Sequence, residues 1–292
     1  MQPQASSIQT FAGDIKLAHS VFALPFAIVG LVLAEVGMPT PLQVALLLVA
    51  MVSARSFAMG MNRLLDADID AENARTRQRA IPSGRLSLRQ GWWITLLAGG
   101  VFLAAAIRLS PLCGKLALPL LLVLAFYSWM KRLSWLTHLY LGFCLGMSPV
   151  AVSIALSGGV NPQTLMVGTA VMLWTAGFDI LYSLQDRTFD LQRGLHSIPA
   201  RFGASRSLWL SRILFGGMVG LLVIAGKVHG AGVAWYGGVL AVAGLLAWEH
   251  WILRHTAEDV DGRIIDKAFF TANAWVSIVF CAAVLLDRVV QA

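Results

Sequence analysis

In the stretch 62-NRLLDADID-70, Asn62, Asp66 and Asp70 recur every four residues directly behind the apolar run 41–61. On a helix turning about 100° per residue, such positions drift by about 40° a step and stay on one face. A second stretch, 179-DILYSLQDRTFD-190, closes another apolar run and sets Asp179, Tyr182, Asp186 and Asp190 within about 80° of helix surface. Asp66 and Asp70 are answered by Asp186 and Asp190 at one common offset, and 79-RAIPSGR-85 is answered by 196-HSIPARFG-203. The chain reads as two related halves. Carboxylates presented by two helices at one depth repel or take up protons unless something neutralises them. A divalent cation does so, and Mg²⁺ favours a few carboxylate oxygens completed by waters and substrate phosphates. Arg75, Arg77, Arg79, Arg85 and Arg89 follow the first acidic stretch, and guanidinium groups suit a phosphate-bearing ligand. Asp68 and Glu72 are expected as solvated loop charges.

The elements that must position these residues are membrane helices. Of 292 residues, 58% are hydrophobic and 13% charged, half the share of about 25% found in soluble domains. Ten Trp and 27 Gly fit a bundle in which Trp gathers at the interfaces and Gly allows close helix packing. Nine apolar stretches approach the length of about 20 residues needed to span a bilayer: 18–36, 41–62, 92–109, 115–131, 135–156, 163–184, 208–228, 231–252 and 268–287. No alternating strand pattern competes with them. The expectation is an all-α polytopic membrane protein, one domain over 1–292 with pseudo-repeat halves at about 15–134 and 135–290. The first residues lack the features of a cleaved signal. Cys113, Cys144 and Cys281 have no spacing suggestive of a disulfide framework or zinc site. His19, His138, His229, His250 and His255 are expected as packing or interface residues, while His196 stays open. The loop 255–267 is expected as a solvated connection.

Seventeen of the 22 basic residues precede the first span or flank the exits of the second, fourth, sixth and eighth. Under the positive-inside rule these sides, with the N-terminus, face the cytoplasm. The net charge of +7 is thereby explained as a topology signal. Nucleic-acid binding is not expected, since no separate basic domain exists to carry it.

The pattern N-x-x-x-D-x-x-x-D after the second span and D-x-x-Y-x-x-x-D at the end of the sixth resembles the paired signatures of the UbiA superfamily of intramembrane prenyltransferases. The texts 61-MNRLLDADIDAENARTRQRAIPSGRLS-87, 131-KR-132 and 194-GLHSIPARFG-203 are most similar to bacterial 4-hydroxybenzoate polyprenyltransferase-like members, including those of menaquinone synthesis by the futalosine route. The common family form has Asp directly after the Asn. Here that position is Arg63, so no family role passes to it. The resemblance implies two Mg²⁺ ions held by Asn62, Asp66, Asp70, Asp179 and Asp186, with Asp190 as a further ligand. It places the diphosphate of a polyprenyl donor against Arg75, Arg79 and Lys131, with Lys16 as a weaker candidate. The implied reaction transfers the prenyl group to an aromatic acid, 4-hydroxybenzoate or a dihydroxynaphthoate, in ubiquinone or menaquinone biosynthesis. The implied setting is the bacterial inner membrane, with the active-site loops cytoplasmic and no obligate protein partner. Haem or chlorophyllide prenylation is the nearest alternative. An ion-coupled secondary transporter is the alternative from another class, since duplicated halves with intramembrane acids also occur there.

Arg55 lies inside a span, about 10 Å below Asn62 at 1.5 Å per residue. An unanswered guanidinium there costs roughly 2.5–3.5 kcal/mol on insertion scales. Two readings stay open: a salt bridge to Asp179, or a contact to the acceptor's carboxylate with Tyr182 packed against its ring. For topology the expectation is definite. With Cys113, Cys144 and Cys281 replaced by Ser, single cysteines introduced into 66–91 or 186–207 should resist an impermeant maleimide applied from the periplasmic side. Labelling of one loop alone would place the two acidic stretches on opposite sides and remove any shared site.

Overall fold

The computed structural model describes residues 6–15, 24–253 and 262–291. Lys16, His19 and His255 lie outside them, as does 255–261 of the loop expected after the eighth span. Among the described residues every regular element is helical. They are α1 (Ser7–Asp14), α2 (Leu24–Leu33), α3 (Pro41–Leu65), α4 (Ala67–Glu72), α5 (Leu88–Leu109), α6 (Pro111–Leu133), α7 (Thr137–Ser157) and α8 (Pro162–Tyr182). After a 3₁₀ turn (Ser183–Asp186) come α9 (Arg187–Arg193), α10 (Ile198–His229), α11 (Val233–Leu253) and α12 (Gly262–Gln291).

The polytopic all-α expectation holds, with a different count of long spans. Among the described residues seven helical stretches are long and apolar enough to cross a membrane: α3, α5, α6, α7, α8 continued to Arg193, α10, and α12 from Ala272. Of the other two expected spans, α2 supplies ten described residues. The helix α11 reaches 21 residues, but Glu249 and His250 near its end lower its apolar character.

The chain forms two compact units. Of the described residues, one comprises 6–15 and 39–129, the other 24–38, 130–253 and 262–291. In the first, α3 packs along α5 around Phe57, Phe102, Ala105, Ala106 and Leu121. Both helices begin with capping boxes, Thr40 with Gln43 and Ser87 with Gln90, which satisfy backbone donors that a helix start otherwise leaves unpaired. The short α1 lies against α5, burying Phe11 and the following Ile15 with Ala80 and Leu86.

In the second unit α8 packs between α7 and α10, α11 pairs with α12, and α2 lies along α7 and α12. Aromatic rings dominate its core: Phe26, Trp174, Phe178, Phe215, Trp235 and Phe280. One buried polar chain joins three helices, with Trp174 Nε1 donating to Asn273 Oδ1 (2.9 Å) and Asn273 Nδ2 to Glu249 Oε1 (3.0 Å).

The α7–α8 contact is a close approach of two backbones. A Cβ added at Gly142 would collide with the Met172 carbonyl oxygen, and one at Gly146 with that of Gly168. Small residues let membrane helices approach backbone to backbone, where dispersion and polar contacts replace the hydrophobic effect as the source of adhesion. A backbone carbonyl cannot step aside as a side chain does, and overpacking a tight core costs about 1–3 kcal/mol or more. Gly146→Val is therefore expected to lower the thermal midpoint of the detergent-purified protein by several degrees or abolish its recovery, whereas Gly220→Ala, which meets nothing within 4 Å, should melt like the parent. Equal melting of the two variants would show that the α7–α8 approach is not needed.

Candidate functional site

The first acidic stretch does not continue one helix, as its spacing predicted. The helix α3 stops at Asp66, whose φ of −99° and ψ of 11° also open α4. These dihedrals fall in the sparsely populated bridge region, common among active-site residues. Asp and Asn side chains hydrogen-bond nearby backbone and so compete with the helical ladder, which favours a break at such a residue. Asp70 follows four residues later and is 5% exposed. The chain then turns back through 73–87, and Arg79 Nη1 donates to both Asp70 oxygens, at 2.7 and 2.6 Å. That return includes a left-handed turn at Gly84 (φ 76°), two residues beyond Pro82. Arg75 lies at its start, where its backbone N–H donates to Asn73 Oδ1 (2.9 Å). Asn62, the last of the expected stripe still on α3, donates from Nδ2 to Asp66 Oδ2 (2.6 Å).

The second stretch breaks in the same manner. The helix α8 ends at Tyr182, the 3₁₀ turn carries the chain to Asp186, and Asp186 (φ −96°, ψ −2°) opens α9. Here too the continuous stripe through Asp190 gives way to a helix, a break and a short helix. Asp190 follows four residues later with no exposed surface, and Lys131 Nζ stands 2.8 Å from its Oδ1. The segment after α9 turns at Gly194 (φ 69°), is capped by Ser197 ahead of Ile198-Pro199, and breaks at Gly203 (φ 79°, ψ 171°), a conformation open essentially to Gly alone. Each unit thus carries an aspartate at a helix break, a buried aspartate four residues on with a cation against it, and an Ile-Pro segment with a left-handed glycine.

Asp179 has a partner that the sequence did not suggest. His138, expected as a packing residue, sits at the start of α7 with Nδ1 2.7 Å from Asp179 Oδ2. Its Nε2 accepts from the backbone N–H of Ile198 at 3.2 Å. A ring nitrogen that accepts carries no proton, so Nδ1 bears the hydrogen and donates to the carboxylate. The pair is the third rung of the α7–α8 contact, after Gly146 with Gly168 and Gly142 with Met172. His196, left open from the sequence, hands its backbone N–H to the Lys131 carbonyl (2.8 Å).

Arg55 lies mid-way along α3 with its Nε buried and without a hydrogen-bond partner among the described residues. Asp179, considered as its salt-bridge partner, is engaged by His138. Tyr182 is half-buried at the end of α8. Two further residues missed from the sequence are Arg63 and Asp14, joined at 3.1 Å with each side chain 8% exposed.

In neither unit do three His, Cys, Asp or Glu side chains converge to hold an ion among the described residues. What each offers is a small set of hard carboxylate oxygens beside cations. That donor set fits Mg²⁺ completed by waters and phosphate oxygens, rather than a soft metal in an all-protein cage.

Comparison with known proteins bears on the family of the chain. The chain is 30% identical over 258 residues to the 4-hydroxybenzoate octaprenyltransferase of Pseudomonas savastanoi pv. phaseolicola, covering 87% of this chain and 84% of that one. It is 28% identical over 258 residues to the protein of the same name from Alkalilimnicola ehrlichii, covering 88% and 86%. Among solved structures it resembles a UbiA homolog from Aeropyrum pernix K1 with a TM-score of 0.83 and 29% identity, over 93% of this chain and 98% of that one. It shares its fold with a UbiA homolog from Archaeoglobus fulgidus bound to DMAPP and Mg²⁺, at a TM-score of 0.70 and 17% identity over 95% and 99%. The profile of the UbiA prenyltransferase family matches residues 23–285. With nearly the whole chain inside that match, the protein belongs to the UbiA prenyltransferase family.

Proposed function

We propose that this integral membrane protein transfers a polyprenyl group from polyprenyl diphosphate to an aromatic acid, 4-hydroxybenzoate or a dihydroxynaphthoate, in ubiquinone or menaquinone biosynthesis at the bacterial inner membrane. The observation that carries the reading is the twofold occurrence of one device, an aspartate at a helix break followed by a cation-clamped aspartate, in a chain of this family. The names of the curated relatives favour the benzoate acceptor. The diphosphate and Mg²⁺ in the Archaeoglobus fulgidus structure favour the donor class.

In this reading Asp66, Asp70, Asp179, Asp186 and Asp190, with Asn62 beside Asp66, hold two Mg²⁺ ions. Bound Mg²⁺ supplies Lewis-acid stabilisation of the departing diphosphate. Arg75, Arg79 and Lys131, with Lys16 as a weaker candidate, stabilise the negative charge that grows on the leaving group as the allylic C–O bond ionises. Arg79 and Lys131 already rest against Asp70 and Asp190, so the aspartates keep both cations in place before substrate arrives. His138 donates from Nδ1 to Asp179 Oδ2 and fixes the orientation of that carboxylate through a single defined tautomer. Apolar side chains keep water from the allylic cation until the ring attacks and gives up its proton.

Replacing Asp66 or Asp186 by Asn should leave a folded membrane protein with no more than a few per cent of parental turnover at saturating Mg²⁺, measured as release of pyrophosphate. Higher residual turnover would remove that residue from the metal site. For Arg55 the buried unpartnered Nε motivates a contact to the acceptor's carboxylate, for which a guanidinium fork is well shaped. Arg55→Ala should then raise KM for the aromatic acid at least tenfold, about 1.4 kcal/mol of lost binding, with KM for the prenyl diphosphate nearly unchanged. Equal rises for both substrates would return Arg55 to a structural role.

A further inference from the structure

Asp14, at the end of α1, accepts from two directions. Its Oδ2 takes a hydrogen bond from Arg63 Nε (3.1 Å) and its Oδ1 one from the backbone N–H of Ala80 (2.6 Å). Arg63 then reaches onward, donating from Nη1 to Asn62 Oδ1 at 2.8 Å. Asn62 closes the chain by donating from Nδ2 to Asp66 Oδ2 at 2.6 Å. Every link has an assignable direction, because guanidinium only donates and carboxylate only accepts. The Asn62 amide therefore has one permitted orientation. Flipped, it would set its NH₂ against the guanidinium and its oxygen against the carboxylate, a mismatch at both ends.

We propose that Arg63 is a positioning residue which, anchored by Asp14, locks the Asn62 amide so that Asn62 presents its NH₂ to Asp66 and presets that carboxylate for a divalent cation. In this arrangement Asn62 serves Asp66 as a donor while its own oxygen is held in place by Arg63. The proposal rests on the metal reading given above. Asp14 has a second effect. A bare guanidinium one residue from Asn62 would oppose a divalent cation, since like charges in a poorly screened site repel strongly. Paired with Asp14, Arg63 keeps its directional hydrogen bonds while most of its charge is cancelled. The helix α1 becomes part of the site's support. It is pinned by Phe11 and Ile15 in their apolar cluster and by Gln90 Nε2 donating to Ser7 Oγ (3.0 Å), and Asp14 transmits that anchoring to α3.

The test is binding of Mn²⁺ alone to the full-length, detergent-purified chain, read by the electron paramagnetic resonance of the free ion, beside the thermal midpoint. Arg63→Met should weaken Mn²⁺ binding by on the order of tenfold, the usual scale for losing a group that orients a metal ligand. Arg63→Met also strands a buried carboxylate. The pair Asp14→Leu with Arg63→Met removes both charges, and apolar replacement of a buried ion pair often restores stability. That double variant should melt close to the parent yet bind Mn²⁺ as weakly as Arg63→Met. Recovery of Mn²⁺ affinity together with the midpoint would show a purely structural salt bridge and overturn the proposal, as would a double variant that fails to fold. A parent protein that binds no Mn²⁺ would instead sink the metal reading, and this inference with it.

Discussion

A carboxylate at the end of an apolar helix needs a donor or a counter-charge, because neither hydrocarbon nor a packed interior supplies one. The local structure around both acidic stretches follows from that constraint. Asp70 is answered by Arg79, Asp190 by Lys131, Asp179 by His138 and Asp14 by Arg63. Buried pairs of this kind are poor glue, since desolvating each ion costs several kcal/mol. They are strong constraints on position, because separating the partners leaves an uncompensated charge. The loop 73–87 must fold back to deliver Arg79, and α6 must end where Lys131 can reach Asp190.

The helix breaks at Asp66 and Asp186 serve the same end. A helix continued without interruption would keep the two acids of each stretch on one rod, spaced a turn apart along its axis. Ending the long helix at the first aspartate and starting a short one there redirects the chain, so that the second aspartate is buried against a basic side chain. That both units use nearly the same dihedrals at the break is the structural counterpart of the duplicated motifs.

Rigidity behind the second stretch comes from the α7–α8 contact. Glycines at 142, 146 and 168 bring two backbones together, and the next rung along is the His138–Asp179 hydrogen bond. Sliding one helix past the other would drive a carbonyl into a Cα and pull the imidazole from the carboxylate at once. Packing and chemistry are thereby coupled through one interface, and Ile198 extends the coupling to the start of α10 by donating its N–H to the same ring.

The sequence by itself determined the membrane class, the helical architecture and the two acidic stretches, because hydrophobic run length and four-residue spacing are local properties. Family membership was legible for the same reason, carried by contiguous motifs. Tertiary structure decided the rest. The breaks at Asp66 and Asp186 were not legible, since the same spacing suits a continuous helix, and only the competition between side-chain and backbone hydrogen bonds resolves it. The partners of the acids were equally hidden. His138 stands 41 residues from Asp179, and Asp14 stands 49 from Arg63, so no periodicity connects them. Residues 24–38 join the second unit rather than the segment that follows them in the chain, because α2 finds its packing surface on α7 and α12. Which side chain answers a buried charge depends on which helices pack together, and that is settled by glycines and aromatic shapes far apart in the chain.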